Sequence, residues 1–496
     1  MFYLGIDLGT SSVKLRVINA ETGKSLCTIA KPDTEMLIEA PELGWAEQDP
    51  NLWWNAIVAG LSEIQNSGQF NLKNVKAIGI AYQMHGLVLT DENLNTTHNA
   101  IIWCDSRAIY TGNVTTAKLG EKYCEENILG YPGNFTASKL KWIKENRPKI
   151  YKRSKYAMLP GDFIAAKFTG IAQTTKSGLS EASLWNFSEQ KLATRVLDTM
   201  GIDESMIPEI VPNFGFQAKI NPIVANSLNL HTEVKITYRA GDQPNNAFSL
   251  NVINPGEVAT TAGTSAVIYT VSDENVFDAE HRINTFLHVN DSIALKRNGV
   301  MLCVNGSGIL YQWLRNLLSI QRKNKIGYNS LNHLASKSYP GSEGLRFYPF
   351  GNGAERIFQN QKAFSGIDNL NYNIHGPEHL TRSACEGIVF AMNYGFDIMK
   401  SLTATNKTIK AGNTNLFLSP VFREIFCNTT KTKLELYSTS GSEGAARGAA
   451  YGDGFYKSLG ETFTNLELLE TVEPTPGNID IYSEIYRDWK DNLRIG

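Results

Sequence analysis

At 496 residues the chain is too long for one hydrophobic core, and two or more domains are expected. Its 47 basic and 49 acidic side chains leave a net charge of -2, which gives no electrostatic reason to bind nucleic acid or an anionic membrane. No run approaches the ~18 apolar residues of a membrane span, and no basic leader precedes the first apolar segment, so a cytoplasmic location is expected. The six cysteines, Cys27, Cys104, Cys124, Cys303, Cys385 and Cys427, have neither C-x-x-C nor zinc-ligand spacing and read as buried reduced thiols.

The opening stretch, Tyr3 to Val17, alternates apolar and polar residues on both sides of Gly9-Thr10-Ser11-Ser12, which predicts a β-hairpin. Backbone N–H groups, the hydroxyls of Thr10 and Ser11, and the Lys14 ammonium can converge on one anionic group there. Asp7 can hold a metal through water. Taken alone, Asp7-x-Gly-Thr fits an ordinary polar turn equally well. After Gly44–Pro50, apolar residues three and four apart from Asn51 predict an amphipathic helix. Val75–Ala81 has the length of a strand and ends at Tyr82-Gln83-Met84-His85-Gly86. Ile101-Ile102 likewise ends in Trp103-Cys104-Asp105-Ser106-Arg107. Ligands of α/β domains collect at strand ends, so Met84, His85, Trp103 and Asp105 are candidate substrate contacts. A strand-end histidine held by a carbonyl and a structural Asp–Arg pair are the plainer alternatives.

The segment from Ser138 to Asn146 reads as a scaffold helix. Val234–Gly241 is a strand that meets a helix at Asp242, followed by Gln243 and Pro244. The positive end of that helix favours the charged carboxylate, a group suited to accept a proton, although an aspartate at this place is also the commonest N-cap. Val258–Tyr269 then repeats the opening pattern, with Gly263-Thr264-Ser265 between two β-rich runs. A hairpin used twice favours two phosphate clasps in two lobes. Gly306 and Gly308 stand at a helix mouth, where a tight turn and a nucleotide contact are equally good readings. Phe350–Arg356 offers a loop arginine. Thr408–Asn415 reads as strand, Gly412, then a polar turn at Asn413, the form of a purine or phosphate loop. Ser442–Ala450 is a helix with a very small face, suited to close packing on a sheet.

Taken in order, Asp7-x-Gly-Thr, Met84-His85-Gly86, Trp103-x-Asp105, Ala240-Gly241-Asp242, Gly263-Thr264-Ser265 and the Gly444-Ala-Ala helix resemble the FGGY family of carbohydrate kinases over nearly the whole length. The Met-His-Gly and Trp-x-Asp pieces are most similar to its xylulokinase branch. The resemblance implies an α/β protein with a two-domain, actin-like (ribonuclease H-like) ATPase fold, mixed sheets flanked by helices, and an active-site cleft between lobes. It divides the chain into a sugar-binding and catalytic domain, 1–247, and a nucleotide-binding domain, 248–496.

It further implies ATP and Mg²⁺ as cofactors and a small-molecule sugar as the acceptor, with a homodimer left open. Asp242 becomes the general base and Asp7 the magnesium-side carboxylate. Met84, His85, Trp103, Asp105 and Gln243 become sugar contacts. Thr10, Ser11, Lys14, Gly263, Thr264, Gly308, Gly412 and Asn413 become nucleotide contacts. Two departures stand out: Gln243 replaces the asparagine usual after the catalytic aspartate, and Ala411-Gly412-Asn413 replaces a glycine-rich loop. Other sugar kinases of this family remain the nearest alternative, and an actin-like or chaperone-type ATPase module the more distant one.

Overall fold

The computed structural model describes residues 1–320, 326–353, 355–361 and 363–495. The predicted hairpin is β1 (Phe2–Leu8) and β2 (Val13–Asn19), antiparallel with Leu8 opposite Val13, and Gly9 N–H closes the turn on the Ser12 carbonyl at 3.0 Å. β3 (Ser25–Lys31) extends it. β4 (Val75–Tyr82) lies parallel to β1 on the other side, followed outward by parallel β6 (Lys235–Gly241) and antiparallel β5 (Phe214–Lys219), giving the order β3-β2-β1-β4-β6-β5.

The period of two in β1 sorts its side chains onto two faces. Leu4, Ile6 and Leu8 join a buried cluster with Trp53, Ile57 and Leu61 of α1 (Pro50–Asn66). Asp49 caps α1 through its side chain and Pro50 opens the first turn. Further helices of this unit that bear on the site are α2 (Thr136–Asn146), α3 (Pro160–Thr169), α4 (Lys176–Glu181) and α5 (Asp242–Ser249).

A second sheet is built from β7 (Val258–Ala262), β8 (Ala266–Ser272), β9 (Asn284–Leu287), β10 (Asn298–Val304), β11 (Thr408–Gly412), β12 (Lys433–Tyr437) and β13 (Leu468–Val472). Its order is β9-β10-β8-β7-β11-β12-β13. The run β8-β7-β11-β12-β13 repeats β2-β1-β4-β6-β5 in neighbour order and strand direction, a hairpin flanked by two parallel strands and an antiparallel edge. Two helices belong with this sheet: α6 (Gly308–Leu317), and α7 (Pro377–Leu402), whose Cys385, Ile388, Val389 and Met392 enter the second core.

Packing divides the chain into a first unit of Met1–Asn251, Phe286–Asn298 and Thr439–Leu466, and a second of Val252–Thr285, Gly299–Ser438 and Glu467–Gly496. The small-faced helix, α8 (Gly441–Gly452), belongs to the first unit and covers the face of its sheet opposite α1.

Glycines make that approach possible. A Cβ at Gly5 would stand 1.8 Å from the Ser442 carbonyl oxygen, and one at Gly79, which pairs with Gly5 across β1 and β4, would stand 2.0 Å from the Ala445 oxygen. Backbone lies on backbone here, and Thr237 anchors the far end by donating to the Ala449 carbonyl at 2.9 Å. The last helix, α9 (Pro476–Asp491), buries Tyr482 and Trp489 completely in the second core. Cysteine burial is less uniform than expected: Cys104 is exposed and Cys303 intermediate. No described helix is long and apolar enough to cross a membrane.

Candidate active site

Three parallel strands of the first unit end in one row. Asp7 pairs with Ala81, and Ala81 with Ala240, so Asp7 on β1 and Asp242, just beyond β6, emerge at the same edge with the end of β4 between them. Asp242 occupies the first turn of α5, not its cap; that place falls to Gly241. The Asp242 carboxyl is pushed up to about 7, chiefly by burial and next by the Asp7 charge, with the amide and side chain of Gln243 partly offsetting both. Burial likewise raises Asp7, against the pull of Lys14, its partner across the hairpin. A Cβ at Gly441 would lie 2.5 Å from Asp7 Oδ2, so the first turn of α8 abuts this carboxylate. The pair thus combines a carboxyl poised to change protonation near neutrality with a second carboxylate beside it.

Magnesium is tested by this donor set. Two partly buried carboxylates with raised affinity for protons are short of positive charge, and Mg²⁺ is ordinarily held by one or two carboxylates, waters and phosphate oxygens, not by a protein cage. Asp7 fits that role, and no group of three or more His, Cys, Asp or Glu able to hold a metal occurs among the described residues.

His85 follows β4 in the left-handed region, at φ 60°. Its Nδ1 lies 3.0 Å from the Glu181 carbonyl and must donate to it, which makes Nε2 the acceptor nitrogen of the neutral ring. Phe135 and Phe286 flank the imidazole, with ring centroids 4.6 and 5.2 Å away. Met84 is 5% exposed and packs on Gly241, where a Cβ would be 2.6 Å from its Cγ. Trp103 presents a half-exposed indole whose Nε1 donates to Thr10 Oγ1 at 3.0 Å. That hydroxyl in turn donates to Gln83 at 3.3 Å, and Gln48 donates to the Thr10 carbonyl at 2.8 Å.

Two of the expected contacts are already engaged within the protein. Asp105, expected among the sugar contacts, is fully buried and already satisfied: Arg107 binds it through Nε and Nη2 at 2.7–3.0 Å, and Ala46 N–H donates to it at 2.6 Å. Arg107 also pairs with Glu47 at 2.7 Å and lies 3.8 Å above the Trp45 ring. The aspartate shapes the loop that carries Trp103. Thr10, expected at a phosphate, has its hydroxyl engaged by Trp103 and Gln83, whereas Ser11 and Lys14 are exposed. Removing the guanidinium by Arg107→Met would take from two buried carboxylates the cation that pairs with both. The expected loss is about 3–5 kcal/mol, read from the urea midpoint.

In the second unit the structure brings Gly263, Thr264 and Gly308 together. Gly308 N–H donates to the Gly263 carbonyl at 2.8 Å and Ile309 N–H to the Thr264 carbonyl at 3.2 Å. A Cβ at Gly308 would be 2.3 Å from the Gly263 oxygen, so Gly308 is glycine for a backbone contact within the protein. Gly412 ends β11, which runs parallel to β7 with Ala411 opposite Thr260, and Asn413 follows it. The Asn413 Oδ1 is buried without a partner among the described residues, an acceptor that a nucleobase amine fits. Within Phe350–Arg356, Ala354 lies outside the described residues. Glu355, fully buried, accepts from the Asn305 and Gly306 amides at 2.9 and 3.1 Å, and Arg356 donates to Asn284.

Sequence reasoning missed Glu181 and Lys139. The Glu181 carboxyl is buried against Gly241 and Tyr82, and burial drives its pKa well up. Lys139 is 0% exposed. A signal existed for the lysine: with Thr136, Leu140 and Ile143 it falls on one helical stripe, where an apolar residue is the rule.

The family model described as the N-terminal domain of the FGGY family of carbohydrate kinases matches residues 2–249, and its C-terminal counterpart matches 258–452. The chain belongs to the FGGY family of carbohydrate kinases. This kinase is 28% identical over 506 residues to the xylulose kinase of Lactococcus lactis, across 99% of its own length and 96% of the relative's. Two solved structures from Lactobacillus acidophilus share its fold. A ligand-bound xylulose kinase has a TM-score of 0.88 at 20% identity, covering 99% of this chain and 97% of that one. A gluconate kinase has a TM-score of 0.87 at 20% identity, with the same coverage. Kinases named for different acceptors thus share one fold, and the acceptor is a matter of side chains.

Proposed function

We propose that this kinase phosphorylates D-xylulose to D-xylulose 5-phosphate at the expense of ATP, with Asp242 as general base. The observation that carries the chemistry is the Asp7–Asp242 pair at neighbouring strand ends, with the Asp242 carboxyl pushed up to about 7. A base of that pKa accepts a hydroxyl proton near neutral pH without holding it tightly. The terminal hydroxyl oxygen bonds to the γ-phosphorus as the bridge to the β-phosphate breaks. The hydroxyl proton passes to Asp242, and ADP leaves. Bound magnesium, held on the Asp7 side, supplies positive charge to the phosphate oxygens.

His85 Nε2 accepts from a sugar hydroxyl, and the indole face of Trp103 and Met84 line the carbon skeleton. Gln243 reaches a hydroxyl next to the reacting one. In this reading the first unit holds the sugar, while Gly263, Thr264, Gly412 and Asn413 of the second face the nucleotide. Similarity to full-length xylulose kinases supports the choice of sugar. Gln243, in place of the usual asparagine, favours as second reading a related acceptor such as ribulose, gluconate or glycerol. A panel of D-xylulose, D-ribulose, L-rhamnulose, L-fuculose, gluconate and glycerol, assayed by coupled ADP release with Mg²⁺, separates them. The highest kcat/KM is expected with D-xylulose; a higher value for any other acceptor overturns the assignment.

A further inference from the structure

Lys139 is a fully buried lysine that donates to two backbone carbonyls and forms no ion pair at contact distance among the described residues. Its Nζ lies 2.8 Å from the His85 carbonyl oxygen and 3.0 Å from that of Ile102. The first carbonyl belongs to the residue whose imidazole faces the proposed acceptor; the second immediately precedes Trp103. One nitrogen on α2 therefore ties together the two loops that carry the ring and the indole.

The local backbone explains why a donor is required. His85 is a non-glycine residue at φ 60°, so the chain turns sharply after β4, out of the ladder that would have satisfied its carbonyl. The next carbonyl, of Gly86, accepts from Thr136 Oγ1 at 3.3 Å, so two successive peptides of this turn are held by the same end of α2. An unpaired buried acceptor is costly, and a side chain with two or more N–H groups removes two such costs. Burial pushes the Lys139 pKa down to about 7, with Asp105 the strongest charge opposing the shift. A neutral amine still has two N–H groups, one for each carbonyl, so the bridge does not depend on charge.

We propose that Lys139 is a positioning residue for the acceptor sugar, fixing the separation of His85 and Trp103 through their backbones. The proposal rests on the reading that these two side chains contact the sugar. Lys139→Met keeps the length of the side chain and removes its donors. Acceptor KM is expected to rise about tenfold or more, because ångström-scale misplacement of binding groups is costly. Nucleotide KM should stay within about twofold, the part of the site that α2 does not touch. Lys139→Arg, which keeps donors at the same place, should recover most of the acceptor affinity.

An acceptor KM within twofold of the parent in Lys139→Met overturns the proposal, as does a rise of equal size in both KM values, the pattern of a lysine that matters only for folding. Should Lys139→Met not accumulate as folded protein, Lys139→Gln is read by the same criteria. His85→Ala and Trp103→Ala separate the two levels. If they raise acceptor KM and Lys139→Met does not, the bridge is refuted alone; if neither does, the sugar-site reading falls with it.

Discussion

Asp242→Asn is expected to lower kcat by about 10²–10⁴-fold, the usual contribution of a positioned general base, while leaving nucleotide binding within twofold. The same substitution should stabilise the protein at neutral and alkaline pH. The carboxyl's folded-state value of about 7 stands above its ordinary 3.8, so the folded state prefers the neutral acid. Its contribution to stability is full below pH ~4 and is lost as pH climbs through ~7. The gap between 3.8 and about 7 corresponds to at most about 4 kcal/mol.

Asparagine does not titrate, so the variant's advantage should grow from pH 4 to 7 and then level off. Thermal unfolding at pH 5 and pH 8 measures it. In the parent, kcat/KM should rise with pH and flatten above about 7. A variant with full turnover, or one less stable than the parent at pH 8, would refute the role assigned to this carboxyl.

The second large effect is expected at the glycine trough. Gly79→Ala places a methyl group 2.0 Å from the Ala445 carbonyl oxygen, and Gly5→Ala places one 1.8 Å from that of Ser442. Both obstacles are backbone, so no side-chain rotation relieves them and α8 must lift from the sheet. A loss of about 3 kcal/mol or more is expected for either substitution, at or beyond the upper end for overpacking. Activity should fall beyond what unfolding explains, because the start of α8 abuts Asp7 and moves with the helix. Urea midpoints and turnover at 10 °C measure the two effects. An alanine variant with the parent's midpoint would show that the helix is not seated on those strands.

The site was legible where local pattern and chemistry coincide. The hairpin carrying Asp7 announces itself through period-two alternation around a polar turn, and Asp242 through a strand that runs directly into a helix. What escaped were properties of neighbours distant in sequence. Asp105 and Arg107 stand two residues apart, a spacing that cannot tell a buried pair from one open to a ligand; Ala46 and Glu47, some sixty residues earlier, decide it. The place of Lys139 on the buried stripe of its helix could be read from spacing, but its two acceptors, the carbonyls of His85 and Ile102, could not. Gly308 reads equally as a ligand-facing or a packing glycine, and only the Gly263 carbonyl, distant in sequence, shows how closely the backbone packs there. Nor does any local signal say that residues 439–466 belong with the first unit.

That last feature bears on how the protein is made. The six strands of the first sheet are all present once Gly241 has been synthesised, but the helix that roofs Gly5 and Gly79 begins only at Gly441. At 5–20 residues per second the ribosome needs roughly 10–40 s to cover that interval. Throughout it, a nascent sheet with one naked face waits for its lid, a form that chaperones would be expected to shelter. Completion of the first unit is thereby deferred until the segment up to Leu466 has been made.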